Sequence, residues 1–324
     1  MKLQLVVSQQ TNPFLNLSVE EFLCHHADDD TVTMYLWKNR RTVVIGQNQN
    51  PFAECNVELL EREGGFLARR RTGGGAVYHD DGNLNFSFIA PPSLYSQESQ
   101  FAVLQQAVQR YGLRTELSGR NDVLCYDAEG QARKFSGNAF SKGNRYRLHH
   151  GTILIRSNID DLQRYLLVKP AKLQKHGVAS VRSRVVNLSE LADVTSDNII
   201  PQMIEAFASV YHGTPDERSF AELSLHAEVQ SLCETYASDA WRLGRWRTFQ
   251  AQRMAQFPWG LVELSIDIDQ EHSLIRDIRI ATDSLNPNLS SQAEVILQGA
   301  STALPPPLPP DSPSELSDIL TLIS

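Results

Sequence analysis

In residues 69–80, three arginines run directly into three glycines, in the order Arg69-Arg70-Arg71-Thr72-Gly73-Gly74-Gly75-Ala76-Val77-Tyr78-His79-Asp80. Because glycine has no Cβ, the backbone can approach a ligand closely, and neighbouring N–H groups can surround an anion. Arginine adds fixed positive charge and planar donors that suit phosphate or carboxylate. The segment therefore predicts an anion-binding site, with a basic surface strand ending in a flexible loop as the alternative.

The glycines do not follow the spacing of the common phosphate-binding loops. A dinucleotide-binding loop places a third glycine three residues after its second, and Tyr78 occupies that position. The Gly-Lys-Ser/Thr ending of a P-loop is also missing from the sequence. If the segment binds an anion, it does so within another fold.

Length, composition and charge exclude several classes of protein. The 324 residues, 41% of them hydrophobic, are enough for one large domain and a small one. A net charge of −8 disfavours binding to long nucleic acids, because proteins that bind them are usually basic. No apolar run approaches the roughly 18 residues that a membrane-spanning helix needs, and residues 1–8 are too weakly apolar for a signal peptide and predict a first strand.

The four cysteines are far apart and have no paired spacing, so they predict neither a disulfide framework nor a zinc site; they are Cys24, Cys55, Cys125 and Cys233. We expect a cytoplasmic protein with reduced thiols that are buried or inert.

The order of predicted elements favours an α+β fold. Ser18 and Glu21 have the spacing of a capping box and predict a helix over residues 18–27. β-Branched and aromatic runs predict strands near 31–37, 42–45, 66–70, 76–78, 84–90, 113–117, 122–126, 132–136 and 146–155. Because these strands do not alternate strictly with helices, we expect mixed, largely antiparallel sheets flanked by helices.

A second, smaller unit is predicted near the end of the chain. Strands over 260–268 and 274–282, followed by a helix over 290–299, indicate a small α+β domain. The proline-rich segment 305–310 cannot join a helix or an inner strand and predicts a spacer. We expect a catalytic domain over 1–248 and an accessory C-terminal domain over 249–324.

Polar turns at the predicted strand ends are further candidates for a site, because such turns commonly carry function. Lys134 precedes a turn of small residues, and Asp122 ends the turn that begins at Ser118. His149 and His150 are adjacent in a predicted strand, so at most one of them can face a given site. A solvated lysine and a turn-capping aspartate are the plainer interpretations of the first two.

Taken together, the motifs resemble the lipoate–protein ligase A family. The resemblance is dense over about residues 10–190 and weaker over 260–299. It rests on Asn16–Glu21, Val43–Asn50, Arg69-Arg70 with Thr72–Asp80, Ser118–Asp122, Lys134 with Ser136-Gly137, His149–Thr152 and Ser180–Leu188, whereas Arg71 departs from the family pattern.

The resemblance implies a catalytic domain of the biotin/lipoate ligase type, related to class II aminoacyl-tRNA synthetases. It implies that lipoate and ATP, with Mg²⁺, form lipoyl-AMP and pyrophosphate. The lipoyl group then passes to a lysine of an apo lipoyl domain in 2-oxoacid dehydrogenase complexes, or of the glycine cleavage H protein. The negative net charge and the lack of a long apolar run, rather than the resemblance, predict no nucleic-acid or membrane partner.

The resemblance also assigns roles to individual residues. Lys134 is the expected catalytic residue, in contact with both the phosphate and the acyl carbonyl oxygen. The expected ATP and adenylate contacts are Arg70, Gly75, Ala76, Val77, Tyr78, Asn83, Asp122 and Lys134, with Asp122 as the candidate Mg²⁺ ligand. The expected lipoate contacts are Trp37, Arg70, Gly74, Gly75, His79, Lys134, His150 and Thr152.

Two other functions are compatible with the same sequence. An octanoyl or lipoyl transferase would share the fold, but it would act without ATP through an acyl-cysteine, and none of the cysteines lies in the polar turns. A non-catalytic lipoate-binding module would not need Lys134. A biotin ligase fits less well, because its glycine-rich motif differs.

Overall fold

The structure is a computed structural model that describes residues 1–119, 121–167, 185–244, 249–304 and 306–323. Four features of the sequence interpretation lie outside these ranges: Arg120 of the Ser118–Asp122 motif, the first part of the Ser180–Leu188 motif, the predicted domain boundary at residue 248, and the start of the proline-rich segment.

The strands of the described residues are β1 Lys2–Val7, β2 Thr31–Trp37, β3 Thr42–Ile45, β4 Phe66–Arg69, β5 Val77–His79, β6 Asn83–Ala90, β7 Thr115–Ser118, β8 Asp122–Tyr126, β9 Ala132–Lys142, β10 Arg147–Leu154, β11 Pro215–Glu217, β12 Ala251–Phe257, β13 Gly260–Asp269 and β14 Leu274–Thr282. The α-helices are α1 Pro13–His25, α2 Pro51–Glu54, α3 Val57–Arg62, α4 Gln97–Gln109, α5 Ile159–Tyr165, α6 Ser196–Val210, α7 Phe220–Ser224, α8 Ala227–Ala237, α9 Asp239–Arg242, α10 Leu289–Leu297 and α11 Ser314–Leu320.

Eight of the described strands form one mixed sheet in the order β11-β1-β2-β6-β10-β9-β8-β7. Only the pairings of β1 with β11 and with β2 are parallel. The long strands β6, β9 and β10 lie at its centre, because their apolar side chains are buried between helices on both faces. This confirms the expected mixed, largely antiparallel sheet flanked by helices.

A small second sheet presents the glycine-rich segment to the large one. Strand β3 pairs in parallel with β4 and antiparallel with β5, so the chain leaves β4 at Arg69, passes through the glycines and returns in β5. Gly74 has φ = +90°, a conformation that a residue with a Cβ rarely adopts. The loop is therefore a connection whose shape depends on glycine.

The first helix begins earlier than predicted. Helix α1 starts at Pro13, and the side chain of Asn12 caps it by accepting hydrogen bonds from the N–H groups of Phe14 and Leu15. Ser18 lies inside the helix and donates to the carbonyl of Phe14 at 2.6 Å, so the predicted capping box is wrong. Asn-Pro is the stronger start signal, since proline at the first helical position loses no hydrogen bond.

The C-terminal residues have a hydrophobic core of their own. A buried cluster draws all its members from residues 251–323, where β12, β13, β14, α10 and α11 pack together. Strand β12 and helix α11 are absent from the sequence interpretation, and Leu316 and Ile319 of α11 are buried in this core. The segment before α11 joins no helix or strand over residues 306–309, as expected of a spacer.

Residues 282–287 of this C-terminal part contact the glycine loop and the loop after β3. The N–H of Gly74 donates to the carbonyl of Ser284 at 2.8 Å, and the N–H of Thr282 donates to the carbonyl of Asn48 at 3.1 Å. The Asn48 side chain also donates to the carbonyl of Pro287 at 2.9 Å. Among the described residues, no helix is both long enough and apolar enough to cross a membrane.

Candidate active site

A cavity of about 150 Å³ lies between the glycine-rich segment and the face of the large sheet that carries Lys134, His150 and Thr152. Its lining residues are Leu17, Trp37, Val44, Arg70, Gly74, Gly75, Ala76, Val77, His79, Asn85, Asn121, Lys134, Gly137, Asn138, Ala139, His150, Gly151 and Thr152. One wall is thus apolar or glycine backbone, and the rest carries a lysine, two histidines and amides. Such a mixture suits a ligand with an apolar body and a charged end.

Lys134 reaches the cavity from a β-bulge. The pairing of β8 with β9 skips Phe135, which is buried in the core while its neighbour Lys134 lines the cavity. Bulges commonly re-aim a side chain in this way. The ammonium group lies 2.7 Å from Oδ1 of Asp122, and both side chains are about one-third exposed, at 33% and 36%. A charged donor therefore stands at a place that a ligand can reach.

Gly137 provides the space for the lysine head. A Cβ on Gly137 would lie 2.9 Å from Nζ and 3.0 Å from Cε of Lys134. The same glycine donates its N–H to the Thr152 hydroxyl at 3.3 Å, which ties β9 to the cavity-facing side of β10. Glycine at the end of the Lys134-x-Ser-Gly pattern thus leaves the space that the lysine head occupies.

Arg70 is buried, and its guanidinium organises the glycine loop. It donates to the carbonyls of Gly73 at 2.7 Å and Gly75 at 2.9 Å, to the carbonyl of Val44 at 3.2 Å, and to the Thr72 hydroxyl at 2.9 Å. Burial lowers the pKa of Arg70 to about 10, which still leaves it charged at neutral pH. Its positive charge lies at the cavity wall while most of its donors hold the loop in shape.

The two neighbouring arginines are placed outside the cavity. Arg69 is buried and donates to five carbonyls, among them those of Trp241 and Arg242. Arg71 pairs with Glu21 at 3.1 Å and lies over the Trp241 ring at 4.2 Å. Arg69 thus connects the loop to α9, Arg71 connects it to α1 and α9, and neither lines the cavity.

A continuous buried network runs beneath the cavity. The Thr72 hydroxyl contacts Nε2 of His150 at 2.8 Å, and Nδ1 of His150 contacts Glu20 at 2.8 Å. Glu20 also accepts from the Ser87 hydroxyl, which in turn accepts from Nε1 of Trp37 at 3.1 Å. Because each member has a partner, the network fixes the orientation of both Trp37 and His150 at the cavity wall.

The adjacent histidines point to opposite faces of the sheet, as the strand geometry predicts. His150 lines the cavity, whereas His149 lies among Phe86, Phe88 and Phe101 on the far side. Burial, reinforced by the nearby His150, lowers the pKa of His149 to about 3, so this ring is neutral. Only His150 is available to a ligand.

His79 is buried at the cavity wall and is held neutral. Burial, together with the charge of Arg70 and the proximity of His150, lowers its pKa to about 3. Its Nδ1 contacts the Asn39 amide at 3.2 Å, and its Nε2 has no hydrogen-bond partner among the described residues.

Most of the predicted site residues come together at the cavity, namely Trp37, Arg70, Gly74, Gly75, Ala76, Val77, His79, Lys134, His150 and Thr152. Asp122 reaches it through its ion pair with Lys134. Tyr78 does not line it, because alternate strand residues face opposite sides, and its ring packs against Tyr165 instead. Asn83 is buried next to Asn85 but is likewise outside the lining.

The sequence interpretation missed several lining residues. Asn85 follows Asn83 by two positions in β6 and so lies on the same face, a signal that strand periodicity could have provided. Asn121 and Asn138 hold each other across β8 and β9, each donating to the other's backbone carbonyl. Their pairing depends on a strand register that no local pattern reveals.

Three comparisons with known proteins agree with this architecture. Residues 12–208 match the family described as the lipoyl protein ligase A/B catalytic domain, and residues 247–303 match the bacterial lipoate protein ligase C-terminus. A relative from Psychrobacter cryohalolentis, named Lipoate-protein ligase A, is 37% identical over 297 residues, which cover 89% of this chain and 86% of the relative.

Solved structures of lipoate ligases also superpose on this chain. LipL1 of P. falciparum, in complex with lipoate, superposes with a TM-score of 0.83 at 26% identity, covering 99% of both chains. A bipartite lipoate protein ligase from Thermoplasma acidophilum, from a structural analysis of that ligase and its E2 lipoyl domain, superposes with a TM-score of 0.64 at 26% identity. The match covers 78% of this chain and 100% of that one. A lipoate-protein ligase A bound with ATP gives 0.62 at 25% identity, covering 75% and 99%.

The family match covers more than half of the chain, and the relative from Psychrobacter cryohalolentis spans most of both proteins. The fold, the cavity with its lysine, and these matches together establish that this chain is an enzyme of the lipoate–protein ligase A family.

Proposed function

We propose that this enzyme activates lipoate with ATP and transfers the lipoyl group to a lysine of an acceptor lipoyl domain. The observation that carries the proposal is the position of Lys134. Its ammonium group lies at a narrow cavity with an apolar wall and stands beside a glycine-rich loop. A single cation there can face the carboxylate end of an acyl chain and a phosphate at the same time.

In the first step, a lipoate carboxylate oxygen forms a bond to the α-phosphorus of ATP while the bond to pyrophosphate breaks. Two anions must approach each other, so positive charge that is already in place lowers the barrier. Lys134 supplies that charge, and its ion pair with Asp122 holds the ammonium group ready. In the second step, the acceptor lysine amine bonds to the acyl carbon and AMP departs, with Lys134 stabilising the carbonyl oxygen.

The glycine-rich segment forms the adenylate side of the site. Backbone groups of Gly75, Ala76, Val77 and Tyr78 provide the wall, and Arg70 maintains the loop while adding positive charge at the cavity. For Tyr78 the proposal concerns its backbone alone, because its side chain faces away. Asn83 is buried outside the cavity lining, so its proposed contribution is indirect, through its hydrogen bond to Asn85, which does line the cavity.

Asp122 is the proposed Mg²⁺ ligand. Magnesium in nucleotide sites is commonly held by one or two carboxylates together with substrate phosphates and water, so a single aspartate suffices. The proposal is supported by the position of the Asp122 carboxylate, which is about one-third exposed beside Lys134 and so is accessible to an ion. Bound Mg²⁺ would neutralise phosphate charge.

The lipoyl chain occupies the apolar part of the cavity. Gly74, Gly75 and Trp37 pack against its methylenes, while His79, His150 and Thr152 provide polar groups along it. The hydrogen bond from Trp37 to Ser87 fixes the indole plane, so the width of the slot is set before the ligand enters.

An acyl-cysteine transferase is the less favoured function. All four cysteines belong to the described residues, and none lines the cavity. Burial raises the pKa of each thiol, to about 12 for Cys55, which disfavours the nucleophilic thiolate. A non-catalytic lipoate-binding module would not need a lysine held at the cavity by an aspartate.

Lipoyl domains are the proposed acceptors, by analogy with the Thermoplasma acidophilum ligase and its E2 lipoyl domain. We extend this to lipoyl domains of 2-oxoacid dehydrogenase complexes and to the glycine cleavage H protein, in the cytoplasm, where the four unpaired cysteines would remain reduced. The division into a catalytic domain, 1–248, and an accessory domain, 249–324, also remains a proposal, supported by the separate core of residues 251–323.

The direct test is mass spectrometry of an apo lipoyl domain incubated with the enzyme and lipoate, with and without Mg-ATP. The proposal predicts that the lipoyl mass increment appears only when Mg-ATP is present. A lipoyl domain whose target lysine is replaced by arginine serves as the control and stays unmodified. Modification without ATP would instead favour the transferase, and no modification in either case would favour the binding module.

A further inference from the structure

Two buried N–H donors line the cavity without a protein partner. Nε2 of His79 and Nδ2 of Asn85 have no hydrogen-bond acceptor among the described residues, and the two side chains are only 3% and 1% exposed. A buried donor without an acceptor is costly, and an acyl slot would normally avoid it. Their presence in a cavity for an apolar chain therefore calls for a ligand atom that accepts a hydrogen bond.

Two asparagines, Asn16 and Asn39, determine which ring nitrogen of His79 carries the hydrogen, and we call their hydrogen-bonded chain the relay. Nδ2 of Asn16 donates to the carbonyl of Lys38 at 2.8 Å, which fixes the Asn16 amide because a carbonyl can only accept. The same Nδ2 donates to Oδ1 of Asn39 at 3.0 Å, so the Nδ2 of Asn39 faces Nδ1 of His79. That ring nitrogen must therefore accept, and in a neutral imidazole the hydrogen is then on Nε2.

The environment keeps this tautomer neutral. Burial, followed by the positive charge of Arg70 and the proximity of His150, lowers the pKa of His79 to about 3, so the ring carries one hydrogen at neutral pH. With Nδ1 directed at Asn39, Nε2 is the only polar atom of the ring left for the cavity. His79 is thus an oriented, uncharged donor.

Asn85 adds the second donor nearby. Its Oδ1 accepts from the Nδ2 of Asn83 at 2.9 Å, which leaves its own Nδ2 unpaired. In the sheet it lies directly between Trp37 on β2 and Thr152 on β10, both of which line the cavity. The two unpaired donors thus flank the Trp37 side of the cavity, since His79 meets the Trp37 ring edge to face.

We propose that His79 and Asn85 make the enzyme select an acyl tail that carries hydrogen-bond acceptors, the ring sulfurs of lipoate, over a plain alkyl tail such as that of octanoate. Asn16 and Asn39 act as positioning residues that set the tautomer of His79. An alkyl tail buries both donors without an acceptor, whereas a dithiolane offers two weak ones. This inference rests on the proposed function, because it concerns the substrate of the same cavity.

The test compares lipoate with octanoate as substrates for ATP-dependent pyrophosphate release, measured as kcat/KM for each acid. His79→Phe keeps a planar ring but removes the donor, and we expect the lipoate-to-octanoate ratio to fall about tenfold. His79→Gln is the matched control, because its amide nitrogen can take the place of Nε2, and its ratio should stay within about threefold of wild type. A wild-type ratio in His79→Phe would overturn the inference.

Asn39→Asp tests the relay. The carboxylate can only accept, so the hydrogen of His79 should move to Nδ1, with the ratio falling as it does in His79→Phe. The ¹⁵N chemical shifts of the imidazole report the tautomer directly, which a merely structural effect would not change. Asn158→Asp, at the exposed cap of α5, is the control. An unchanged His79 tautomer in Asn39→Asp would overturn the proposed role of the relay. A changed tautomer with a wild-type lipoate-to-octanoate ratio would overturn it as well.

The outcomes separate this inference from the proposed function. A wild-type enzyme that releases pyrophosphate with neither acid refutes the function itself. A wild-type enzyme that uses both acids equally well refutes the selection alone. Should Asn39→Asp fail to fold, the pair His79→Phe and His79→Gln still decides the selection.

Discussion

At the level of single residues, Arg70 and Lys134 show two ways of using positive charge. The guanidinium of Arg70 is buried and donates to carbonyls and to Thr72, so it holds the loop in one shape. The ammonium group of Lys134 is partly exposed, and its ion pair with Asp122 could be exchanged for a phosphate without breaking the loop. This difference is why Lys134 carries the proposed catalytic role.

Two buried histidines predict a dependence of stability on pH. The pKa values of His79 and His149 are lowered to about 3, while in the unfolded chain histidine titrates near 6.5. Below about pH 6.5 the unfolded state therefore binds protons that the native state does not, and stability falls as the pH falls. Each histidine contributes a slope of about 1.4 kcal/mol per pH unit.

His79→Gln should remove one of these slopes. We expect the free energy of unfolding, measured by urea denaturation, to depend less on pH between about 6 and 4, by about 1.4 kcal/mol per pH unit. His272→Gln is the control, because His272 is an exposed residue between β13 and β14. Identical pH dependences in wild type and His79→Gln would contradict the neutral, buried state of His79.

At the level of elements, the bulge in β9 and the glycine after it position the lysine. The extra residue Phe135 is buried in the core, and Gly137 leaves room for the Lys134 head. Because the nearest atoms to a Cβ at Gly137 belong to the end of a flexible side chain, the lysine can move aside at little cost to folding.

Gly137→Ala should therefore reduce activity without reducing stability. We expect the rate of lipoate-dependent pyrophosphate release to fall about tenfold or more, because the ammonium group is displaced from the reacting phosphate. The thermal midpoint should stay within about 2 °C of wild type. Ser141→Ala, on the same strand but outside the cavity, should leave both quantities unchanged, and a fully active Gly137→Ala enzyme would argue against this account of β9.

Local sequence patterns predict individual helices and strands well, but they predict the contacts between those elements less well. Strand β2 agrees with its expected range because its β-branched and aromatic residues favour a buried strand. Helix α1 begins five residues before its prediction because the Asn12-Pro13 signal outweighs Ser18. The use of Arg70 for loop carbonyls has no local signal, since an arginine beside glycines looks the same in either role. The relay from Asn16 through Asn39 to His79 joins residues that only the fold brings together.

At the level of the whole molecule, the C-terminal part rests on the proposed adenylate loop. The N–H of Gly74 is bonded to the carbonyl of Ser284, and a Cβ at Gly73 would lie 2.1 Å from that same oxygen. The glycine run thus serves two purposes, because it also permits close contact with residues 284–285. Backbone contacts of this kind tie the position of the C-terminal part to the shape of the loop.

Gly73→Ala should separate these two parts. We expect the amide hydrogens of Gly74 and Thr282 to exchange with solvent at least about tenfold faster, as measured by hydrogen–deuterium exchange, because their acceptors are displaced. Gly75→Ala is the matched control, since a Cβ there meets no atom within 4 Å. Unchanged exchange in Gly73→Ala would mean that the two parts are not held by this contact.

The central claim, that this cavity forms an acyl-adenylate at Lys134, is tested most directly by pyrophosphate release from ATP with lipoate and no acceptor protein. Wild type should release pyrophosphate only when lipoate is present. Lys134→Ala should be slower by about 10²–10³-fold, as expected for the loss of one preorganised donor at a transition state. Lys142→Ala, at the exposed end of the same strand, should match wild type. Wild-type rates in Lys134→Ala would contradict the account.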